Sequence, residues 1–426
     1  MAPCIIAANN YFYHRGGSEA IYFSEISQLE GRGWKVVPFS MDHPRNIASK
    51  WGEFFVNELE FGASQTLWSR VRAAPKFVYS LEAKRKIELL IRTVRPDLCH
   101  LHNIYHHLSP SILSAVRSAG IPSVLTLHDL KIACPAYTML THDGICERCK
   151  SGNYLNVVRH KCVNNSLIQS GLVYLEARLH KLLDSYASNV DRFVVPSQFY
   201  RDKFVEWGVN PESLVYIPNS INVDNFTPTW EVGDYFVYVG RLVAQKGIAT
   251  LVRAAHQAGV ALRVVGTGPL EEELKKEAES LGADIEFTGY LSGSGLHSLI
   301  ANARGLVLPS EGYENAPISV LEAYALGTPV LGADIGGIPE LIETAETGFV
   351  FRSGDRDDLA AKLSDLREMP IGGVLQLGRN ARKLAELEFD NSLHLSRLLQ
   401  LYASLGVASE TAESVCATDG HSGGSL

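Results

Sequence analysis

The stretch from Leu306 to Glu343 constrains the fold of this chain more than any other part of the sequence. It begins with a short apolar run and a polar loop, and a helical pattern then starts at Pro317 and stops at Gly327. A second apolar run, Pro329 to Ala333, leads into another loop and another short helix. Strands that alternate with helices in this way predict a parallel α/β sheet.

Two glutamates in this stretch stand near a predicted helix start. Glu314 lies in the loop, and Glu322 lies in the second turn of the helix. The free N–H groups and the dipole of a helix start favour an anion such as a diphosphate, and carboxylates on either side of it could accept hydrogen bonds from sugar hydroxyls. A loop acid and a helix-surface acid without any ligand fit the spacing equally well, so the pattern alone leaves both interpretations open.

The residues around these glutamates resemble the donor site of glycosyltransferase family 4. Glu-x7-Glu is followed by Gly-Thr-Pro-Val and Gly-Gly-Ile-Pro-Glu, and the resemblance extends from about residue 5 to about residue 400. It implies the GT-B fold, an α/β fold in which two Rossmann-like parallel-sheet domains face each other across a cleft, and a retaining transfer from a nucleotide sugar. Many members have Glu-Gly-Phe-Gly where this chain has Glu314-Asn315-Ala316-Pro317, which leaves the identity of the sugar open.

Basic residues just past a strand end form a second part of the predicted donor site. Gly240-Arg241-Leu242 and Lys246-Gly247 come between a predicted strand and a helix, where an arginine and a lysine can bind a diphosphate. The resemblance assigns both cations to the donor phosphates and implies that catalysis requires no cofactor and no divalent metal. It also implies that Glu322 contacts the ribose and Glu314 the donor sugar. The donor-binding residues predicted in this way are Gly16, Gly17, Arg241, Lys246, Gly266 and Glu322.

Polar residues also follow two predicted strands of the first half. A His-x-His-Asn pattern ends at His102-Asn103, but no carboxylate or cysteine is regularly spaced with the histidines, which argues against a metal site. The resemblance instead puts His102 and Asn103 beside the acceptor. It makes His128 the contact to the sugars being joined, with Asp129 orienting it. His128 and Glu314 are therefore the predicted catalytic residues, and the alternative for His128 is a buried histidine satisfied by hydrogen bonds.

Four of the seven cysteines fall within one segment, residues 130–165. Their spacing is Cys-x11-Cys-x2-Cys-x12-Cys, and the inner pair has the spacing of a zinc knuckle. Lysines and arginines nearby favour thiolates. We expect a structural zinc that holds this insertion, with unliganded thiols or disulfides as the alternatives. The expected ligands are Cys134, Cys146, Cys149 and Cys162.

The length of 426 residues suits two α/β domains. We expect an acceptor-side domain over 1–217, a donor domain over 218–375, a helix that crosses back over 376–405, and a disordered tail over 406–426. The net charge of −8 argues against binding to nucleic acid. No apolar run reaches the roughly 18–20 residues that span a bilayer, and the first residues do not resemble a signal peptide, so a cytoplasmic protein is expected.

One basic stretch, residues 68–95, has eight lysines and arginines against two glutamates. It could lie on the anionic inner face of the plasma membrane, or be an ordinary solvated helix face. The sequence therefore predicts transfer of a hexosyl group from a UDP- or GDP-sugar to a saccharide acceptor, one linked to lipid if the stretch contacts membrane, in assembly of bacterial surface polysaccharide. The alternatives are a sugar-nucleotide epimerase with the same fold and a scaffold that binds nucleotide sugar without catalysis.

Overall fold

Two parallel sheets of six strands each organise the chain, as the alternation of strands and helices predicts. The computed structural model describes residues 2–58, 77–141 and 143–407. Residues 68–76 of the basic stretch and residues 408–426 of the predicted tail lie outside these ranges. No helix within them is both long enough and apolar enough to cross a membrane.

The first sheet has the strand order β10-β9-β6-β5-β1-β2, and every pair in it is parallel. Strands β3 and β4 form a small parallel pair, and β7 and β8 form a hairpin within the cysteine-containing insertion. The strands are β1 (Cys4–Ala8), β2 (Lys35–Phe39), β3 (Met41–Asp42), β4 (Val56–Asn57), β5 (Leu98–Leu101), β6 (Ser123–Thr126), β7 (Leu140–Thr141), β8 (Gly144–Ile145), β9 (Arg192–Val195) and β10 (Leu214–Tyr216). The helices are α1 (Gly17–Gly31), α2 (Leu81–Val94), α3 (Ser111–Ser118), α4 (Leu155–Arg159), α5 (Leu167–Leu182) and α6 (Gln198–Glu206).

The second sheet has the order β13-β12-β11-β14-β15-β16 and is also parallel throughout. Its strands are β11 (Tyr235–Val239), β12 (Ala261–Val265), β13 (Ile285–Gly289), β14 (Gly305–Leu308), β15 (Val330–Ala333) and β16 (Gly348–Phe351). The remaining helices are α7 (Ile248–Ala258), α8 (Glu271–Leu281), α9 (Gly293–Ala301), α10 (Ile318–Ala325), α11 (Arg356–Glu368), α12 (Ile371–Glu388) and α13 (Asn391–Ser404). Short 3₁₀ helices cover Gly52–Phe54, Pro211–Ser213, Val223–Asn225, Ala244–Lys246 and Pro339–Leu341.

The central strands are apolar on both faces because helices cover both sides of each sheet. All five residues of β1 and all four of β14 are buried. In a parallel sheet the carboxyl ends of the strands lie at one edge, so the loops that follow β1, β5 and β6 gather there. The loops after β11, β12 and β14 gather in the same way in the second domain.

The expected returning helix over 376–405 is in fact two helices with a break at Phe389 and Asp390. Asp390 ends the first because its carboxylate accepts the backbone N–H of Ser392 at 2.8 Å and so caps α13. Helix α12 packs on the cores of the second domain, while α13 packs on the first domain beside α1. Only α13 therefore crosses back.

Candidate active site

The carboxyl ends of β5 and β6 bring His102 and His128 together. These strands are neighbours, with Leu101 opposite Leu125. Nδ1 of His102 lies 2.9 Å from Nε2 of His128, and the two rings stack with their centroids 5.2 Å apart. Burial, with His102 close by, lowers the pKa of His128 to about 3. His128 is therefore a neutral imidazole at physiological pH and acts as a hydrogen-bond group rather than as a cation.

A buried carboxylate on α1, Glu25, extends this pair into a network. Its Oε2 lies 3.3 Å from both Nε2 of His102 and Nδ1 of His100, and its Oε1 lies 3.1 Å from Nε2 of His394. Burial opposes charge on Glu25, but His102 and His100 hold its carboxyl pKa well below the usual range. An ionised Glu25 favours the tautomer in which His102 donates from Nε2 and accepts at Nδ1. His128 must then donate from Nε2, which fixes its tautomer and its ring orientation.

Three side chains of this network, Glu25, His100 and His102, are the only group of three or more in the described part of the chain whose possible metal-ligating atoms all lie within 4.8 Å of one another. Both ring nitrogens of His100 already have hydrogen-bond partners, the Tyr402 hydroxyl at 2.7 Å and the Thr126 hydroxyl at 2.8 Å. The group is therefore an internal hydrogen-bond network. The sequence around the histidines contains no carboxylate, and the one that meets them, Glu25, comes from the distant helix α1.

Two predicted acceptor-side residues have structural partners of their own. Oδ1 of Asp129 accepts the backbone N–H of Lys131 at 2.9 Å, so Asp129 shapes its own loop and does not orient His128 as the resemblance implies. Burial raises the pKa of Asp129 to about 6. The backbone N–H of Asn103 bonds to Asn9, and its side-chain oxygen is buried without a partner among the described residues.

The predicted diphosphate ligands lie in the loop between β11 and α7. Arg241 is exposed, and its guanidinium has no hydrogen-bond or ion-pair partner in the described ranges. Nζ of Lys246 donates to Oε1 of Glu314 at 2.7 Å, and the Ser310 hydroxyl donates to the same oxygen at 2.8 Å. The predicted phosphate and sugar contacts are thus adjacent, with Glu314 held between a cation and a hydroxyl.

Gly247 permits this contact between loops. Its φ is +64°, and a Cβ atom there would lie 1.8 Å from the carbonyl oxygen of Pro309. The loop with Lys246 therefore lies directly on the loop with Glu314. Gly266, at φ +131°, makes a similar approach after β12, since its Cβ would lie 1.9 Å from the carbonyl oxygen of Gly240. Only glycine fits either position.

Glu322 lies in the second turn of α10 and is partly buried. Its carboxylate has no hydrogen-bond or ion-pair partner among the residues that the structure describes. Burial raises its pKa to about 7. An unpaired carboxylate in a partly dry site can accept hydrogen bonds from a ligand, which fits the predicted contact to a ribose.

The starts of α1 and α10 face each other between the two domains. A Cβ atom on Gly17 would lie 3.3 Å from Cγ1 of Ile318, the first residue of α10. Neither start has a side-chain cap, since Gly16 and Pro317 make no capping hydrogen bond. Two helix starts without a side-chain cap are therefore neighbours, an arrangement that suits a diphosphate. Gly17 belongs to this arrangement, and Gly16, at φ −167°, adjoins it in extended backbone.

The loop between β14 and α10 also connects the two domains. Asn315 donates from Nδ2 to the carbonyl of Leu127 at 3.0 Å and bonds to the Ser197 hydroxyl at 2.8 Å. Next to Glu314, the Tyr313 hydroxyl donates to Glu147 at 3.0 Å. The Glu-Asn-Ala-Pro sequence thus contains an amide side chain, that of Asn315, which holds this loop beside His128 by hydrogen bonds.

The four cysteines of the insertion, Cys134, Cys146, Cys149 and Cys162, are free thiols. Cys134 lies in the apolar core of the first domain, and Cys162 packs against that core. No three of the four sulfur atoms lie within 4.8 Å of one another, the spacing that the Glu25 group has.

Two residues that position the site were missed from the sequence, Glu25 and Asn315. A signal for Glu25 was present, since it stands four residues from both Ile21 and Leu29 on the buried face of α1. An acid on such a face needs a buried partner. Asn315 had no local signal, because its partners belong to the other domain.

Two family models match the chain in succession. Residues 15–225 match the one described as Glycosyltransferase Family 4, and residues 227–384 match the one described as Glycosyl transferases group 1. The O-antigen chain mannosyltransferase C of Escherichia coli is 28% identical over 238 residues, 54% of this chain and 63% of that protein. Across the first curated relatives, the matched share of their own length runs from 26% to 63%, so the chain spans less than two thirds of each.

Solved structures share the fold over nearly the whole chain. Sucrose-phosphate synthase from Thermosynechococcus elongatus has a TM-score of 0.69 at 20% identity, covering 96% of this chain and 100% of that one. The Anabaena protein HepE, solved in complex with UDP and glucose, has a TM-score of 0.66 at 17% identity, covering 94% of this chain and 100% of that one. At these identities the likeness establishes the fold, not the substrate.

Proposed function

Because the chain belongs to glycosyltransferase family 4 and has the GT-B fold, we propose that it transfers a hexosyl group, with retention, from a UDP- or GDP-sugar to a saccharide acceptor. The relative named as an O-antigen chain mannosyltransferase supports a role in bacterial surface polysaccharide synthesis. The observation that carries the proposal is the close approach of two uncapped helix starts, at Gly17 and Ile318, next to the loop in which Glu314 bonds to Lys246.

Each part of this arrangement has a role in binding a nucleotide sugar. The diphosphate is bound by Arg241 and Lys246, which neutralise the charge that grows on the leaving group. Arg241 is ready for this role because it has no partner within the described ranges. Lys246 must turn from Glu314 to do so, and this frees Glu314 to accept from a hydroxyl of the donor sugar. Glu322 accepts from the ribose. The donor sugar then lies near His128, because Asn315, the residue after Glu314, bonds to the carbonyls of Leu127 and His128 after β6.

The first domain supplies the reacting side. Nε2 of His128 is engaged with His102, so Nδ1 is the nitrogen left to contact sugar hydroxyls. His102 and Glu25 act through His128 and are positioning residues. Retention follows front-face attack by the acceptor, in which the leaving phosphate takes the acceptor proton. This chemistry needs no cofactor and no catalytic metal, because the cations and helix dipoles stabilise the leaving diphosphate.

A lipid-linked acceptor at the inner face of the plasma membrane completes the proposal. The exposed face of α2 alternates apolar and basic residues, Leu81, Arg85, Leu89 and Arg92, and Leu81 and Leu89 are 57% and 56% exposed. Such a face can bind anionic lipid.

The double variant Leu81→Ser, Leu89→Ser should lose co-sedimentation with anionic vesicles, whereas Leu387→Ser, at a leucine of α12 that is 60% exposed, should not. Equal binding by both variants would contradict membrane contact through α2.

The first test of the function is a thermal-shift screen against UDP-, GDP- and ADP-sugars. One donor class should stabilise the wild type, and Arg241→Ala and Glu322→Ala should abolish the shift. Arg263→Ala, which removes a surface arginine of β12 paired with Glu286, is the control and should leave the shift unchanged. Transfer to saccharide acceptors is then measured with the donor class found.

The outcomes separate the possible functions. Turnover of the donor without any acceptor, giving a changed sugar nucleotide, would indicate an epimerase. Binding without turnover towards any acceptor would indicate a scaffold. No shift with any nucleotide sugar would refute the proposed donor site.

A further inference from the structure

The cysteine-containing insertion has little secondary structure to hold it. Its strands β7 and β8 have two residues each, and its helix α4 has five. Five of its residues other than glycine have a positive φ, between 47° and 55°: Tyr137, Met139, Lys161, Asn164 and Asn165. Small units of this kind usually depend on disulfides or a metal, because they bury too little apolar surface. Disulfides are absent among the described cysteines.

The backbone of the insertion delivers its cysteines to a common region. Cys146 follows the β7–β8 hairpin, where its N–H bonds to the carbonyl of Met139 at 2.8 Å, and Cys162 follows α4, where its N–H bonds to the carbonyl of Val157 at 3.0 Å. Cys134 and Cys149 are buried, at 8% and 7% exposure. Two buried thiols thus form the inner side of the cluster, and two partly exposed thiols form its outer side.

The packing of the insertion also places its first and last cysteines together. Cys134 belongs to the same apolar cluster as Met139 and Val157, and Cys162 packs against that cluster. The two backbone carbonyls that accept from Cys146 and Cys162 are therefore those of residues in the cluster that contains Cys134.

We propose that Cys134, Cys146, Cys149 and Cys162 bind one structural Zn²⁺ ion. The two outer side chains, Cys146 and Cys162, turn inward to close the site around the ion. Four thiolate ligands fill the tetrahedral coordination that zinc prefers and leave no open position, so the ion has no part in the chemistry. Binding displaces the protons of the four thiols.

The ion also affects the donor site, through the short segment between the two inner cysteines. Glu147 follows Cys146 directly, and its Oε1 accepts from both Lys203 at 2.7 Å and the Tyr313 hydroxyl at 3.0 Å. Tyr313 precedes Glu314. Zinc that fixes the segment from Cys146 to Cys149 therefore also fixes one side of the donor loop.

The test is the metal content of the full-length protein, purified without chelator and measured by inductively coupled plasma mass spectrometry. We expect about one zinc per chain in the wild type and less than about a tenth of that in Cys149→Ala and Cys162→Ala. Cys99→Ala is the matched control, since Cys99 is a fully buried thiol of β5 outside the cluster, and it should retain its zinc. Metal content can be measured whether or not the chain transfers sugar.

A second measurement keeps the inference testable if the cysteine variants do not fold. Titration of wild-type thiols with a mercurial reagent should release one zinc as four thiols react, and Glu147→Gln should keep its zinc while binding donor more weakly. Wild-type protein without zinc, whether its thiols are free or paired in disulfides, would overturn the assignment. Iron in place of zinc, with visible absorbance, would overturn it too.

Discussion

Donor binding should depend on pH through one residue, Glu322. Burial raises its pKa to about 7, and only the ionised carboxylate can accept a hydrogen bond from each of two ribose hydroxyls on both oxygens. With that pKa, roughly nine-tenths of Glu322 is ionised at pH 8 and roughly one-tenth at pH 6. If only the ionised form binds, the Kd for a nucleotide sugar should be about tenfold higher at pH 6 than at pH 8.

Isothermal titration calorimetry of the wild type and Glu322→Gln at pH 6, 7 and 8 measures this directly. The ligand should be an intact nucleotide sugar, because its diphosphate diester does not titrate here, whereas a terminal phosphate has a pKa near 6. Glu322→Gln resembles the protonated acid and cannot ionise. It should bind more weakly than the wild type does even at pH 6, and therefore more than about tenfold more weakly than the wild type at pH 8, with a weak Kd that changes less than about twofold across the range.

The same pH dependence in wild type and Glu322→Gln would refute this reasoning. It would shift the effect to another group, such as Asp129, whose pKa burial raises to about 6. A wild-type Kd that is flat with pH would show that the ionised carboxylate does not contact the ligand.

Three further predictions follow from buried groups. Glu25→Gln should lower kcat at least about tenfold, by releasing His128, while the Kd of the donor stays within about twofold; an effect on Kd alone would contradict a positioning role. Gly247→Ala should lower Tm more than Gly282→Ala, since both have similar positive φ but only the first adds a clash, and equal losses would contradict the contact between loops. Burial raises the pKa of Glu176, but Lys131, together with His106, outweighs it and holds the pKa at about 2 against an ordinary 4.5, which corresponds to about 3 kcal/mol. That contribution is present above about pH 4.5 and is lost as pH falls towards 2, so Lys131→Met should lose up to about 3 kcal/mol in urea unfolding at pH 7 and less at pH 3.

The fold and the loop positions of Arg241 and Lys246 were predictable because their signals are local. Buried strands read as apolar runs, and the loop after each strand carries its polar residues in a fixed order, so Arg241 and Lys246 could be placed before any tertiary contact was known. The break between α12 and α13 also had a local signal in the sequence. Asp390, two residues before Ser392, is a helix N-cap, but the apolar periodicity continues past it and led to the prediction of a single helix.

The contacts that orient the site could not be predicted in the same way. Glu25 meets His102 from a position 77 residues away in sequence, and the pairing depends on how α1 crosses the sheet. The resemblance implied that Asp129 orients His128, but Oδ1 of Asp129 accepts the backbone N–H of Lys131, because an aspartate bonds most readily to its own backbone two residues on. The side chain that bonds to the ring of His128 is His102, on the neighbouring strand.

The loop from Pro309 to Pro317 joins the domains at several points, and this gives the departure from the family pattern a physical reason. Its Glu314 contacts Lys246, its Asn315 contacts the carbonyl beside His128, and its Tyr313 contacts Glu147 of the insertion. A Glu-Gly-Phe-Gly loop has no amide side chain to reach the first domain. In this chain Asn315, the residue next to Glu314, bonds to the first domain, so the loop that is predicted to contact the donor sugar is held in place at one side of the cleft.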